Sequence, residues 1–127
     1  ARGYVTEDAE AHYNEAITAS ILYWNGTAAE AAAYIAQPAV SYNAGNWQQL
    51  IGQQKWIALY NRGFEAWSTW RKLDYPELAD AAQSGLPVPL RFTYPVTEAT
   101  LNGANYTAAG SAIGGDEQQT PVFWDVN

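Results

Sequence analysis

Cysteine and methionine are absent from the 127 residues, and there is a single histidine, His12. Without cysteine there are no disulfide staples, no thiolate metal ligands and no cysteine nucleophile. One histidine cannot assemble a His-rich zinc or iron centre within this chain. Positive charge is scarce too: six Lys+Arg face 13 Asp+Glu, for a net charge of −7. A nucleic-acid binder needs a basic surface to neutralise phosphates, so nucleic acid is excluded as a partner. An anionic membrane surface is disfavoured on the same ground. No apolar run approaches the ~18 residues of a membrane-spanning helix. The chain opens at Ala1 without a signal-peptide pattern, so it is expected to be a piece whose native N-terminus lies elsewhere. It carries no Gly-x-Ser-x-Gly elbow, P-loop or dinucleotide fingerprint. No repeat of 20–50 residues is visible.

What the chain has is apolar and aromatic bulk: 48% of residues are hydrophobic, and there are six tryptophans and nine tyrosines. That argues for a packed fold and against intrinsic disorder. Thr6 is the expected N-cap of a first helix whose opening turn is acidic through Glu7, Asp8 and Glu10. Tyr13, Ile17, Ile21 and Trp24 form its apolar stripe, and Asn25-Gly26 ends it. Thr27 with Glu30 predicts a capping box opening an alanine-rich second helix, stopped by Pro38. After the YNAGN loop at 42–46, one long helix is expected from about Gln48 to Leu73. Leu50, Ile57, Tyr60, Phe64 and Trp67 make one stripe on it, and Trp56, Leu59, Ala66, Trp70 and Leu73 a second beside it. Gly63 falls inside this wide arc, which predicts a neighbouring backbone close to it. Tyr75-Pro76 closes the helix. Beyond it lie Pro87, Pro89, Pro95 and Pro121, a short candidate strand at 90–94 and short helical turns broken by Gly103 and Gly110. The Phe123-Trp124 pair predicts an ordered tail. The expected fold class is mainly α, three helices followed by a long irregular Pro/Gly-rich C-terminal wrap.

The residues point more to binding than to turnover. Glu65, Asp74, Glu98 and Asp125 lie among aromatics, and a carboxylate pair is what glycoside hydrolysis needs. Structural pairing with the few cations is the favoured reading of each. Arg71 lies at the edge of the apolar arc, and a buried guanidinium requires a partner. Glu98, Asp74 or Asp125 is expected to accept bidentate bonds from it, clamping the wrap onto the helix. Trp56, Trp67 and Trp70 are at helical spacing and are expected to pack structurally. Tyr42 and Trp47, flanking the YNAGN loop, and Trp24, at the end of the first helix, escape that pattern. These three are the candidate ligand-binding residues, since aromatic faces stack on sugar rings and loops carry function. Gly115-Asp116-Glu117 is read as a solvated turn, with calcium the alternative. Asn25-Gly26-Thr27 and Asn105-Tyr106-Thr107 match a glycosylation pattern short enough to arise by chance. No catalytic residue, metal ligand or cofactor is assigned.

Three ordered segments carry a resemblance. Residues 54–78, QKWIALYNRGFEAWSTWRKLDYPEL, contain Gln-Lys-Trp-Ile-Ala-Leu, Glu-Ala-Trp, a basic pair and Tyr-Pro-x-Leu. Residues 88–108, VPLRFTYPVTEATLNGANYTA, contain Pro-x-Arg, Tyr-Pro, Glu, Asn and Asn-Tyr. Residues 114–125 contain Gly-Gly-Asp, Thr and Trp-Asp. Together they resemble the C-terminal signature of the SusD/RagB-like outer-membrane nutrient-binding lipoproteins, with Arg71-Lys72 where the family has paired arginines and Phe123-Trp124 where it often has two tryptophans. The resemblance implies that residues 1–127 are the C-terminal portion of a larger SusD-like fold, with TPR-like helical repeats in the absent N-terminal part. It implies a non-enzymatic starch- or glycan-binding protein on the Gram-negative cell surface, lipid-anchored through an N-terminal cysteine outside this chain. Its partners would be an oligosaccharide and a SusC-like TonB-dependent transporter. The motif residues Trp56, Trp67, Trp70, Arg71, Glu98 and Trp124 then look architectural, and no ligand residue carries over by motif. An interaction segment without ligand contacts of its own is the alternative, and a glycoside hydrolase fragment acting through Glu65 and Glu98 a further one.

Overall fold

The computed structural model describes residues 6–125, and among them helices are the only regular elements. They fall into two compact units, divided after Pro76. The first holds α1 (Ala9–Tyr23), α2 (Ala28–Ile35), a single 3-10 turn (Ala44–Asn46), α3 (Trp47–Ala58) and α4 (Gly63–Leu73). The second holds α5 (Glu98–Leu101) and α6 (Gly103–Ala112). The mainly α class is as expected, but with six helices rather than three. No described helix is long and apolar enough to cross a membrane.

Local chemistry accounts for the boundaries. The cap of α1 is Asp8, whose side chain accepts from the Glu10 N–H at 3.0 Å, and not Thr6. A carboxylate there satisfies an orphan donor and also faces the positive helix end. The capping box of α2 forms as the sequence predicts: Thr27 N–H donates to Glu30 Oε2 at 2.8 Å, and Glu30 N–H to Thr27 Oγ1 at 3.2 Å. The Thr27 hydroxyl, which donates to Glu30 Oε2 at 2.8 Å, and then the Thr27 N–H hold the Glu30 carboxyl below its ordinary range. Small side chains let α2 pack closely along α1, and Ala31 is wholly buried. The core of the unit is Tyr13 and Ile17 from α1, Val40, and Leu50 from α3, with Ile21, Tyr34, Ile35, Tyr42 and Ile51 around it. The Tyr13 hydroxyl donates to the Val40 carbonyl at 2.7 Å, so this polar group enters the core satisfied.

The long helix expected over 48–73 is interrupted. α3 ends at Ala58, Asn61 takes a left-handed φ of 70°, and α4 restarts at Gly63. The break rephases the second half, so the two expected stripes separate in fate. Ala66 and Leu73 of the second stripe are buried, whereas Ile57, Tyr60 and Phe64 of the first are exposed. Among the described residues no atom lies within 4 Å of a Cβ built on Gly63, so the expected close approach is not found there. The close approach is at Gly52, where a Cβ would lie 2.6 Å from the Tyr75 Cβ.

In the second unit the expected strand at 90–94 is absent. Leu90 and Arg91 instead donate their N–H groups to the Gln118 carbonyl, at 2.8 and 3.3 Å. Two successive N–H groups sharing one carbonyl do not make the alternating pattern of a ladder, and Pro89 and Pro95 bound the run on either side. Gly103 separates α5 from α6 as expected, but Gly110 lies inside α6. The Gly115-Asp116-Glu117 turn is no solvated loop. Arg91 Nη2 lies 3.1 Å from Asp116 Oδ1, with the two side chains 10% and 9% exposed. Asp116 also accepts the Tyr94 N–H.

Candidate functional site

α1 and α3 end in the same way. In α1 the aromatic C-cap Trp24, and after α3 Tyr60 one residue beyond the C-cap Leu59, is followed by an asparagine at left-handed φ, Asn25 at 65° and Asn61 at 70°. Asparagine tolerates this conformation better than most side-chain-bearing residues. The two terminations leave the Trp24 and Tyr60 rings 6.4 Å apart at 63°, and Tyr23 meets Trp24 edge-on at 5.4 Å. Such edge-to-face pairs are favourable for aromatic rings. Yet Tyr23 is 71%, Trp24 51% and Tyr60 71% exposed. The result is an aromatic shelf open on one side.

Two hollows adjoin the shelf. The smaller, about 400 Å³, is lined by Ser20, Tyr23, Trp24, Tyr60, Asn61 and Arg62 among others. Its size falls in the range of small-molecule sites, about 300–1,000 Å³. Arg62 at its rim pairs with Glu65 at 3.4 Å in solvent. The larger is a groove of about 1240 Å³ between α1, α2 and α3, with Ile17, Ile21, Ile51 and Ile57 in its wall. Ser20, Trp24, Ala58 and Tyr60 belong to both. The shelf therefore stands between a polar hollow and an apolar groove.

Of the three candidate ligand residues, Trp24 lies on this shelf and the other two do not. Tyr42 is half-buried against the core, its ring 5.5 Å from that of Tyr13. Trp47 opens α3, half-buried. Neither lines either hollow. Tyr23 and Tyr60 are members that the sequence reading missed, because a continuous helix through 59–62 assigns Tyr60 to a packed stripe. The Asn61-Arg62-Gly63 run carried the signal of a helix end. Several motif residues make contacts close by in the sequence. Trp56 is half-buried, the Arg71 guanidinium stacks 3.8 Å over the Trp67 ring, and Arg71 Nη2 donates to Ser68 Oγ at 3.4 Å. Trp70 Nε1 donates to the Pro76 carbonyl at 3.0 Å. Glu98 accepts from Asn102 Nδ2 at 3.1 Å, and Trp124 is 38% exposed. Asp74 takes a left-handed φ of 57° as the C-cap of α4. His12 is exposed, its Nδ1 3.9 Å from Glu15. Among the described residues no group of three or more His, Cys, Asp or Glu could hold a metal ion.

A protein-family model, SusD-like, described as starch-binding and associating with the outer membrane, matches residues 1–95. No curated protein matches the chain by sequence. Among solved structures, a SusD-like protein of Bacteroidetes AC2a superposes with a TM-score of 0.87 at 28% identity, covering 98% of this chain and 27% of that one. A chitin-binding protein superposes at 0.81 and 33% identity, over 99% of this chain and 30% of its own. A SusD homologue from Bacteroides uniformis gives 0.80 and 26%, over 94% and 32%. The chain thus spans about a third or less of the length of these proteins. The family match runs through α1, the element whose motifs are least distinctive, and the structural likeness continues to the C-terminal motifs. With three quarters of its length matched, the chain belongs to the SusD-like family.

Proposed function

We propose that the protein binds oligosaccharide at the Gram-negative cell surface, without turning it over, and hands it to a SusC-like TonB-dependent transporter. Family membership supports the carbohydrate class, and starch and chitin, named for the family and for one similar structure, are the first candidates. The observation that carries the reading in this chain is the exposed Tyr23–Trp24–Tyr60 shelf beside a polar hollow. Aromatic faces stack on the apolar faces of sugar rings, while Ser20 and Asn61 can exchange hydrogen bonds with hydroxyls. Trp24 is the primary ligand residue. Tyr42 and Trp47 are ligand residues of lower rank, since both are half-buried. Anchoring at the outer membrane would come from a lipidated cysteine outside this chain.

Calorimetry with maltooligosaccharides and chitooligosaccharides tests the binding, and chromatography of the recovered sugar tests for turnover. Binding with intact sugar is expected. Cleavage that is lost in Glu65→Gln or Glu98→Gln would replace this reading by a hydrolase. A pull-down from outer-membrane extract, with the transporter identified by mass, tests delivery. One observation favours a second reading, an interaction segment with no ligand contacts. The 1240 Å³ groove exceeds what one small ligand fills, and the chain spans about a third or less of its relatives. In that case Trp24→Ala leaves glycan affinity unchanged.

A further inference from the structure

The dipeptide Asn-Gly occurs twice, at Asn25-Gly26 and Asn102-Gly103. We infer that Asn102 is a self-modifying site, losing its side-chain amide by cyclisation onto the Gly103 nitrogen, and that Asn25 is protected. An asparagine side chain and the backbone nitrogen after it are one bond short of a cyclic imide. Glycine in the second place favours closure, because it has no Cβ to hinder the approach and its backbone turns freely. The surroundings separate the two pairs. The Gly26 N–H donates to the Ile21 carbonyl at 2.9 Å, and a Cβ built on Gly26 would lie 2.5 Å from Ile21 Cγ2. That nitrogen is engaged and its turn is crowded. Gly103 is the first residue of α6, where an N–H has no acceptor within the helix. Among the described residues nothing else accepts it, and no atom lies within 4 Å of a Cβ built there. Asn102 is exposed. Its Oδ1 accepts from Asn105 Nδ2 at 2.7 Å, and its Nδ2 donates to Glu98 Oε2 at 3.1 Å. The bond from Asn105 polarises the amide carbonyl and stabilises the negative charge that grows on Oδ1 during attack.

In the reaction the Gly103 nitrogen bonds to Asn102 Cγ and the Cγ–Nδ2 bond breaks. Its electron pair leaves with Nδ2, which takes up the Gly103 proton and departs as ammonia. Water then opens the imide at either carbonyl, giving aspartate or isoaspartate. Both products bring a new carboxylate to the corner that Glu98 already occupies. Isoaspartate also lengthens the backbone at the N-cap of α6, where the Asn102 carbonyl accepts the Tyr106 N–H at 2.9 Å. The test incubates the full protein in mildly alkaline buffer and follows each asparagine by peptide mass spectrometry, with an isoaspartate-specific methyltransferase to detect the rearranged product. Because the Gly26 N–H must first give up a hydrogen bond, Asn102 should convert about tenfold faster than Asn25. Gly103→Ala meets open space at a position without positive φ, so it should slow conversion severalfold and leave the melting curve unchanged. Asn105→Ala should also slow it severalfold, with thermal melting to check that the fold is kept. Equal rates at the two asparagines, or a faster Asn25, overturn the assignment. A rate at Asn102 that is indifferent to Gly103→Ala overturns the route through the glycine nitrogen, and one indifferent to Asn105→Ala overturns the polarising contact. An Asn102 that stays intact while a peptide of residues 98–107 converts fully overturns the site.

Discussion

Replacing Asp116 by alanine is expected to destabilise the protein by about 3 kcal/mol. The carboxylate holds Arg91 Nη2 at 3.1 Å and the Tyr94 N–H at 3.1–3.2 Å, and it is 9% exposed. Breaking a buried ion pair from one side costs about 3–5 kcal/mol, because the remaining charge is stranded. Arg91 would not be wholly stranded, which sets the lower end of that range. Its Nε donates to the Phe92 carbonyl at 3.0 Å, and its guanidinium lies 4.8 Å from the Tyr94 ring centroid. Asp116→Asn keeps an acceptor for the Tyr94 N–H and gives up the charge, for about 1–2 kcal/mol. Urea unfolding gives the free energies, and hydrogen exchange should place the loosening at residues 88–120. The Arg91→Met/Asp116→Leu double variant should recover most of the loss, since apolar groups replace buried pairs at little net cost. A loss under about 0.5 kcal/mol for Asp116→Ala, on the scale of an exposed pair, would refute the reasoning.

Gly52→Ala should cost about 1–3 kcal/mol by overpacking, because the new Cβ meets the Tyr75 Cβ at 2.6 Å and its carbonyl oxygen at 3.0 Å; a melting curve superposable on that of the parent would contradict the packing. Thr27→Ala removes the hydroxyl of the capping box and should lower stability by about 1 kcal/mol in chemical denaturation. Glu30 titrates below its ordinary 4.5 in the folded protein, so its contribution is present above that pH and is lost as pH falls through the lowered value; Thr27→Ala should flatten this acid limb. Tyr13, shifted up by burial and by Tyr34, and Tyr106, shifted up chiefly by the Asp116 charge, both titrate above 10.0. Their neutral forms support the fold fully below pH about 10, and that support is lost as pH rises through the raised values. Phenolate absorbance should show a late-titrating fraction, which shrinks in Asp116→Asn.

The first unit was legible where a local rule decides the outcome. The Thr27/Glu30 box, the alanines that let α2 close on α1, and the Tyr13–Ile17 stripe all follow from spacing alone. The break at 59–62 was not legible from periodicity, because apolar residues continue across it at helical intervals. Its cause is a left-handed Asn61, a backbone choice that a helical projection cannot register. That one miss carried Tyr60 into a packed stripe and hid half of the aromatic shelf. The Arg91–Asp116 pair was hidden for another reason. Its partners lie 25 residues apart in an irregular region, where Pro and Gly set the path and no period brings them together. Arg71, by contrast, sits on a helix, where spacing alone places a side chain on a face. Its side chain does lie buried, against Trp67.

The shelf and the break share one cause. Non-glycine residues in the left-handed region cost of order 1 kcal/mol each, and here two of them immediately follow the aromatic rings. A fold selected for stability alone has cheaper ways to end a helix, glycine above all. It also has no use for three large aromatics left 51–71% exposed. Exposed aromatic area of this kind marks surfaces that meet something else. Because the rings are fixed by helix ends rather than carried on a long loop, they lose little freedom on contact, and two χ angles per ring keep that loss small. The costly backbone at Asn25 and Asn61 thus lies directly next to the exposed rings of Trp24 and Tyr60. That coincidence, more than the number of aromatics in the composition, is what supports the proposed reading of the shelf as a recognition surface.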